Sequence, residues 1–169
     1  MYFGFNPRKG KLKRDILLIV LTLVVVIALV VSIIPAIYGI NATQNHRIFV
    51  DEYTTSLNHA RKNGGLRATQ GNETWRVSND FGSMIYTQIV DAGMGKPQKE
   101  APASEEFTVF TFPDGSELML CQTEIMEKSR IQDQGVYIAF TNKEGKIFQY
   151  DTDRIDVEKF FNIIENSKR

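Results

Sequence analysis

From Ile16 to Ile40 the chain reads ILLIVLTLVVVIALVVSIIPAIYGI, 25 residues without a charge. The nearest charged residues on either side are Asp15 and Arg47. At roughly 1.5 Å per residue a helix of this length reaches about 37 Å, against a hydrocarbon core of about 30 Å. The stretch is therefore expected to be a transmembrane helix, and it sets the organisation of the rest. Residues 1–15 are read as a basic cytoplasmic tail and 16–40 as the transmembrane helix. Residues 41–63 are read as a juxtamembrane amphipathic helix and 64–169 as an extracytoplasmic α+β domain.

A cleaved signal peptide is the rival reading, since its basic start looks the same. Its apolar core runs about 7–15 residues and ends in an A-x-A-like site. Here the core is longer, and no small-x-small pair follows it cleanly. Within the span, Thr22 and Ser32 are expected to bond back to their own helix. No ionisable side chain lies in it, so a pump or proton relay has no chemistry there. The absence of a small-xxx-small glycine pair gives no sign of a tight glycine-mediated dimer. Pro35 is expected to kink or loosen the outer end.

Charge sets the orientation. Of the 20 basic residues, Arg8, Lys9, Lys11, Lys13 and Arg14 all precede the span, whose only nearby acid is Asp15. By the positive-inside bias the N-terminus is cytoplasmic and the C-terminal domain extracellular, a single-pass protein of the cell membrane. Tyr2, Phe3 and Phe5 are placed at the inner interface of the bilayer. A tail of 15 residues is too short to fold as an output domain. The remaining 15 basic and 19 acidic residues give the outer part a net charge of −4. That balance speaks against nucleic acid, which calls for a basic face. The lone Cys121 can form no intrachain disulfide, which fits a bacterial surface better than a secreted metazoan domain.

Beyond the span, Phe49, Tyr53, Leu57 and Ala60 recur at helical spacing, and Gly64-Gly65 would end that helix. The stripe calls for a packing partner, most simply the domain's own sheet. Leu66 and Ala68, a Gly71-Asn72 turn, then Trp75 and Val77 read as a β-hairpin. Asn79 is a fitting N-cap for a helix carrying Phe81, Ile85 and Ile89, which Gly93 stops. Residues 93–104, GMGKPQKEAPAS, read as a linker loop. Phe107–Phe112 and Leu118–Cys121 form a hairpin around Pro113-Asp114-Gly115, apolar on both faces and so central or doubly covered. Thr123–Gln134 fits a long loop, a short helix or a continued strand. Val136, Ile138 and Phe140, a turn at Asn142–Gly145, then Phe148 and Tyr150 make a third hairpin. Asp151 or Asp153 is expected to cap a final helix with Val157, Phe160, Phe161 and Ile164 on one stripe. The order hairpin, cap, helix occurs twice. The whole predicts six strands and two helices: an α+β fold in which a small antiparallel sheet carries helices packed on one face.

The run from the Asn142-Lys-Glu-Gly145 turn through Asp151-Thr-Asp153 to Val157-Glu-Lys-Phe160-Phe161-Asn-Ile163-Ile164 resembles small exported domains of uncharacterised Gram-positive lipoproteins and single-pass membrane proteins. The resemblance covers roughly Leu66 to Ser167. It implies location and architecture, and it carries no functional residue.

No reaction chemistry stands out. There is no G-x-S-x-G elbow, phosphate loop or dinucleotide fingerprint, and Gly93-Met-Gly95 is followed by Lys96-Pro97, which opens no helix. His46 and His59 lie thirteen apart without convergent ligands, and they read as exposed polar helix residues. Cys121, in an apolar strand, reads as a buried inert thiol rather than a nucleophile. Asn41-Ala-Thr43 and Asn72-Glu-Thr74 match the glycan acceptor pattern, which matters only on a eukaryotic secretory route. Glu105, Glu106, Asp151, Asp153 and Asp156 could serve a hydrolase if two of them flanked a cleft, but turns and caps explain them equally. The last three lack the calcium-loop order. Trp75, Tyr86, Phe112, Tyr137 and Tyr150 would make either a binding patch or, as alternating strand aromatics more commonly do, a core. No catalytic, cofactor-binding or metal-ligating residue is therefore assigned, and no cofactor is expected. The partners expected are the lipid bilayer and a protein or cell-wall component. The function expected is a membrane-anchored interaction or sensing module, such as a small subunit of a cell-envelope complex. A small envelope hydrolase and a purely structural partner are the alternatives.

Overall fold

A computed structural model describes residues 7–98, 100–103, 106–127 and 130–168, with the backbone alone for 7–14, 34–42 and 125–133. Tyr2, Phe3, Phe5 and Glu105 lie outside the described residues. The elements in chain order are α1 (Pro7–Lys62), β1 (Leu66–Gln70), β2 (Glu73–Val77), α2 (Asn79–Ala92), β3 (Lys96–Pro97), β4 (Thr108–Thr111), β5 (Glu117–Glu127), β6 (Arg130–Thr141), β7 (Ile147–Thr152) and α3 (Val157–Asn166). The chain divides into two compact units, Met1–Thr43 and Gln44–Arg169, and each is described by itself.

In the first unit α1 presents apolar side chains all round. Every residue from Ile16 to Ile33 is exposed, and Asp15–Ile33 is long and apolar enough to cross a membrane. Such a surface is what lipid tolerates and water does not. Thr22 donates to the Leu18 carbonyl and Ser32 to the Ala28 carbonyl, each at 2.8 Å, so both hydroxyls are satisfied along their own helix as expected. The helical backbone continues through Pro35.

In the second unit the end of α1 becomes a core element. Phe49, Tyr53, Leu57 and Ala60 are all buried, the most exposed of them at 4%. Phe49 meets Phe140 edge-on with centroids 5.9 Å apart, and Tyr150 edge-on at 5.8 Å. Tyr53 meets Phe112 edge-on at 5.9 Å. Each such pair adds about 0.5–1.5 kcal/mol beyond its buried area. The helix stops where the sequence calls for it: Gly65 N–H donates to the Ala60 carbonyl at 2.8 Å, and Gly64 and Gly65 take φ of +107° and +85°.

The seven strands form one antiparallel sheet in the order β2-β1-β4-β5-β6-β7-β3. Leu66, Ala68, Val77, Phe110, Leu118, Leu120, Val136, Ile138, Phe140, Phe148 and Tyr150 point to one face. There they join Ile85, Ile89 and Ala92 of α2 and Phe160, Ile163 and Ile164 of α3 in a single core. The helices thus cover one face, as the strand alternation predicts. Both repeats of hairpin plus helix, β1-β2-α2 and β6-β7-α3, are formed, and α2 packs on α3.

Three local expectations are corrected, and one left open is decided. The residues read as a linker contain β3, which pairs with β7 through Lys96↔Asp151 and Pro97↔Tyr150 and makes a seventh strand. Of the readings open for Thr123–Gln134 the continued strand holds: β5 runs to Glu127 and β6 starts at Arg130, both past their other neighbours, with a register shift between Ile125 and Met126. The cap of α2 is Ser78 rather than Asn79, its hydroxyl accepting from Phe81 N–H at 3.4 Å. The cap of α3 is Asp156, which accepts from Lys159 N–H at 3.1 Å. Asp151 is still in β7, and Ile155 is buried, 4% exposed, so the chain must first turn this side chain into the core before the helix starts.

The second face of the sheet has a small cluster of its own. Cys121, Tyr137 and Ala139 are buried there, with Phe107 and Met119 packed against them. β3 at the β7 edge and Phe107 packed on the cluster strap this region. Gly95 lies so close to the sheet that a Cβ there would overlap the Asp151 carbonyl oxygen. Only glycine permits that approach.

Two outcomes follow. Phe49→Ala should cost about 3–5 kcal/mol of unfolding free energy, because a large ring leaves a cavity between α1 and β6; denaturant titration of the full chain in detergent measures it. Gly95→Ala should push the strap off β7 and speed maleimide labelling of Cys121 by at least about tenfold with the core intact. Unchanged labelling would mean that the strap does not cover the thiol.

Candidate functional site

Among the described residues, the acids named from the sequence do not converge on one cleft. Asp156 is spent as the α3 cap, and Asp153 is exposed in the turn before it. Glu106 lines a shallow depression of about 450 Å³ with Gln70, Ala103, Gln122, Thr123, Glu124 and Phe161. Asp151 is on the second face in one register row with Cys121, Tyr137 and Lys96. One Asp151 carboxylate oxygen accepts from the Gln98 amide, while the other is buried without a partner. Burial pushes its pKa above the ordinary carboxylate value, against the opposing pull of Gln98 and of the Lys96 charge. Burial likewise raises Tyr137, helped by Cys121 and Asp151, and its hydroxyl donates to Gln149 at 3.1 Å. This is the chemistry of a buried fastening under the strap.

The aromatics are structural. Phe112, Tyr137 and Tyr150 are buried. The Trp75 indole N–H donates to Ser167 at 3.0 Å, which ties β2 to the end of α3, and the Lys168 ammonium stands 5.0 Å from the ring. The Tyr86 hydroxyl shares a 2.7 Å hydrogen bond with Thr54. His59 is exposed, as expected, whereas His46 is half-buried beside Phe49, with ring centroids 6.4 Å apart. Among the described residues no group of His, Cys, Asp or Glu could hold a metal.

What the sequence reading missed lies at the other end of the uncovered face. Arg67 and Arg76 stand directly opposite each other in the β1–β2 register, with Thr111 opposite Arg67 on its other side. Residues paired this way share a face, with Cβ atoms about 4.5–5.5 Å apart, and like charges there are destabilising. Both arginines are exposed, and among the described residues neither has an ion-pair or hydrogen-bond partner. The Arg76 guanidinium lies over Gly65, its Nε 2.9 Å from where a Cβ would stand. Two open depressions flank this glycine. One, about 310 Å³, is lined by Asn63, Gly64, Gly65, Arg67, Thr111, Phe112 and Pro113. The other, about 350 Å³, is lined by Gly65, Arg76, Val77, Ser78 and Asn79.

The acids near this end are few. Asp114 follows Pro113, but it is committed to its own turn, accepting from Ser116 N–H at 3.0 Å. Burial alone would raise its pKa; the Ser116 backbone and the hydroxyls of Ser56 and Ser116 outweigh that and hold it below the usual range. Asp80 sits in the first turn of α2, and Glu117 lies one strand beyond Thr111. The pairing was legible in principle: Arg67 and Arg76 are equidistant from the Gly71-Asn72 turn, so a two-residue hairpin must set them face to face.

Compared with family models, with curated proteins and with solved structures, the chain matches none.

The Asp151 geometry has a pH consequence. A carboxyl whose pKa is raised on folding adds stability that is complete below its unfolded value and is lost as the pH rises through the folded one. The strap should therefore hold best in acid and loosen as the pH climbs from the ordinary carboxylate range through the raised value. Asp151→Asn should flatten this part of the profile of melting temperature against pH, measured from pH 3 to 7. A parallel profile in the variant would show that Asp151 is not the titrating group.

Proposed function

We propose that the chain is a membrane-anchored interaction or sensing module, with α1 crossing the bilayer once, the N-terminus in the cytoplasm and the unit Gln44–Arg169 outside the cell. It binds a protein, peptide or wall component there, and a small subunit of a cell-envelope complex fits this reading. The basic residues that precede the span, against a single nearby acid, support the orientation. The resemblance to exported Gram-positive domains agrees with the same location.

The observation that carries the binding reading is the uncovered face of the sheet. The helices occupy the other face, and here Arg67, Thr74, Arg76, Thr111 and Glu117 are all exposed. A flat polar surface suits recognition of a partner, while a hydrolase needs carboxylates converging in a cleft. Among the described residues, large apolar side chains exposed outside the span are scattered, at Ile48, Met84 and Ile147, so the reading is built on the polar face. Tethering adds effective concentration at the membrane, which lets modest affinity suffice.

Photocrosslinkers placed at Thr74 and Thr111 in intact cells should capture a defined partner, while one at Met84 on α2 should not. Protease added to whole cells should remove the C-terminal unit. Equal capture from both faces, or a protected C-terminal unit, would overturn the reading.

A further inference from the structure

We infer that Arg67 and Arg76, directly opposite each other in the β1–β2 register, form a receptor for a phosphate group beside the Gly64-Gly65 turn. The inference rests on the binding reading above and names the chemistry of the ligand.

The first argument is energetic. Two arginines in direct cross-strand register repel each other, and here no carboxylate of the described residues pairs with either. Threonine or glutamine at either position would keep the hairpin without that repulsion. An anion held between them converts the repulsion into two charge-assisted contacts. The second argument is steric. Arg76 lies against Gly65, which has no Cβ to displace its guanidinium, and the positive φ there independently calls for glycine. The bare glycine leaves open space on both sides, with Arg67 walling one depression and Arg76 the other.

The surroundings add donors. Asn63 and Thr111 line the first depression, and Ser78 and Asn79 line the second at the start of the 14-residue helix α2. Asn79 and Asp80 are the first two residues of that helix, and its positive end favours an anion. The last turn of α1 is also basic, with His59, Arg61 and Lys62, although Arg61 is occupied by Asn58 and Ser83. Asp80 and Glu117 oppose the anion, but neither pairs with an arginine, and Asp114 is held by Ser116. One fork fills two of the roughly four lone-pair sites of a carboxylate, which all lie in one plane; the oxygens of tetrahedral phosphate fan their lone pairs out of any one plane, so two forks on neighbouring strands can each reach a pair. Free phosphate and a phosphodiester headgroup share this chemistry.

The test uses the full chain in maltoside micelles, titrated with inorganic phosphate and, separately, with glycerophosphoglycerol as a soluble diester headgroup. Sodium chloride of matched ionic strength is the control. Saturable binding and a rise in melting temperature beyond chloride are expected. Arg67→Gln and Arg76→Gln should each weaken binding by at least about tenfold. Without phosphate, these variants should melt at or above the wild type, because the repulsion is gone. Arg67→Lys and Arg76→Lys keep the charge and lose the fork; they should also bind more weakly, and they carry the test if the glutamine variants fail to fold. Tighter binding of inorganic phosphate assigns the site to the free anion, and tighter binding of the diester assigns it to a headgroup. A response no larger than that to chloride, or undiminished binding by every arginine variant, overturns the proposal. A partner crosslinked at Thr74 or Thr111 would in that case leave the binding reading standing.

Discussion

The aromatic seam between the end of α1 and the middle of the sheet is what the second unit depends on. Phe49 and Tyr53 alone touch β6 and β7, the β4–β5 turn at Phe112 and helix α2 through Tyr86. A seven-stranded sheet with two short helices on one face leaves part of that face bare. Phe49, Tyr53, Leu57 and Ala60 of α1 fill it. This explains why a chain with one long apolar segment goes on in helical register past its last apolar span residue. The same element meets lipid-like requirements first and core-like requirements later, and the change is visible in the sequence as a narrowing of the apolar surface from all sides to one stripe.

Covering one face so completely makes the other face informative. A sheet with only one covered face needs polar residues outward, and threonines would serve that purpose at no electrostatic cost. The molecule instead departs from this in two places. At one end it buries Cys121 and Tyr137 beside a strap in which Gly95 leaves no room for a Cβ against the Asp151 carbonyl. At the other it sets two arginines opposite each other over a second close-packed glycine. Both are local conflicts between side-chain chemistry and sheet geometry. Such conflicts are where a sequence that is otherwise consistent with its fold carries something besides folding.

How much of this was legible follows from the range of the interactions involved. Strand alternation, helical stripes and glycine stops are local, and they gave three hairpins, the face the helices cover and the stripe of α1. What escaped was set by distant partners. Lys96-Pro97 has no strand pattern of its own and becomes β3 only because β7 offers an unpaired edge. Thr123–Gln134 stayed open between loop, helix and strand because, past the reach of β4 and β7, the ends of β5 and β6 have each other alone as partners and need no apolar face. The cap of α3 moved from Asp151 or Asp153 to Asp156 because Ile155 must first be buried, and no propensity at the aspartates records that. The arginine pair differs from these. Its register was implied by the Gly71-Asn72 turn, but reading for hydrophobic faces gives no weight to the polar positions in between.

The two arginines also bear on what kind of partner the second unit would suit. Its net charge is −4, so a basic partner would be drawn to most of its surface without discrimination. An anionic group is repelled everywhere except where positive charge is concentrated. Arg67 and Arg76, with the basic last turn of α1 next in sequence, make such a concentration. A site of this sign on an acidic body gains specificity from the background it opposes: weak affinity for the anion at one place is coupled to exclusion at others. That pattern favours a receptor that reads a defined group on its partner over a surface that holds the partner by general charge attraction.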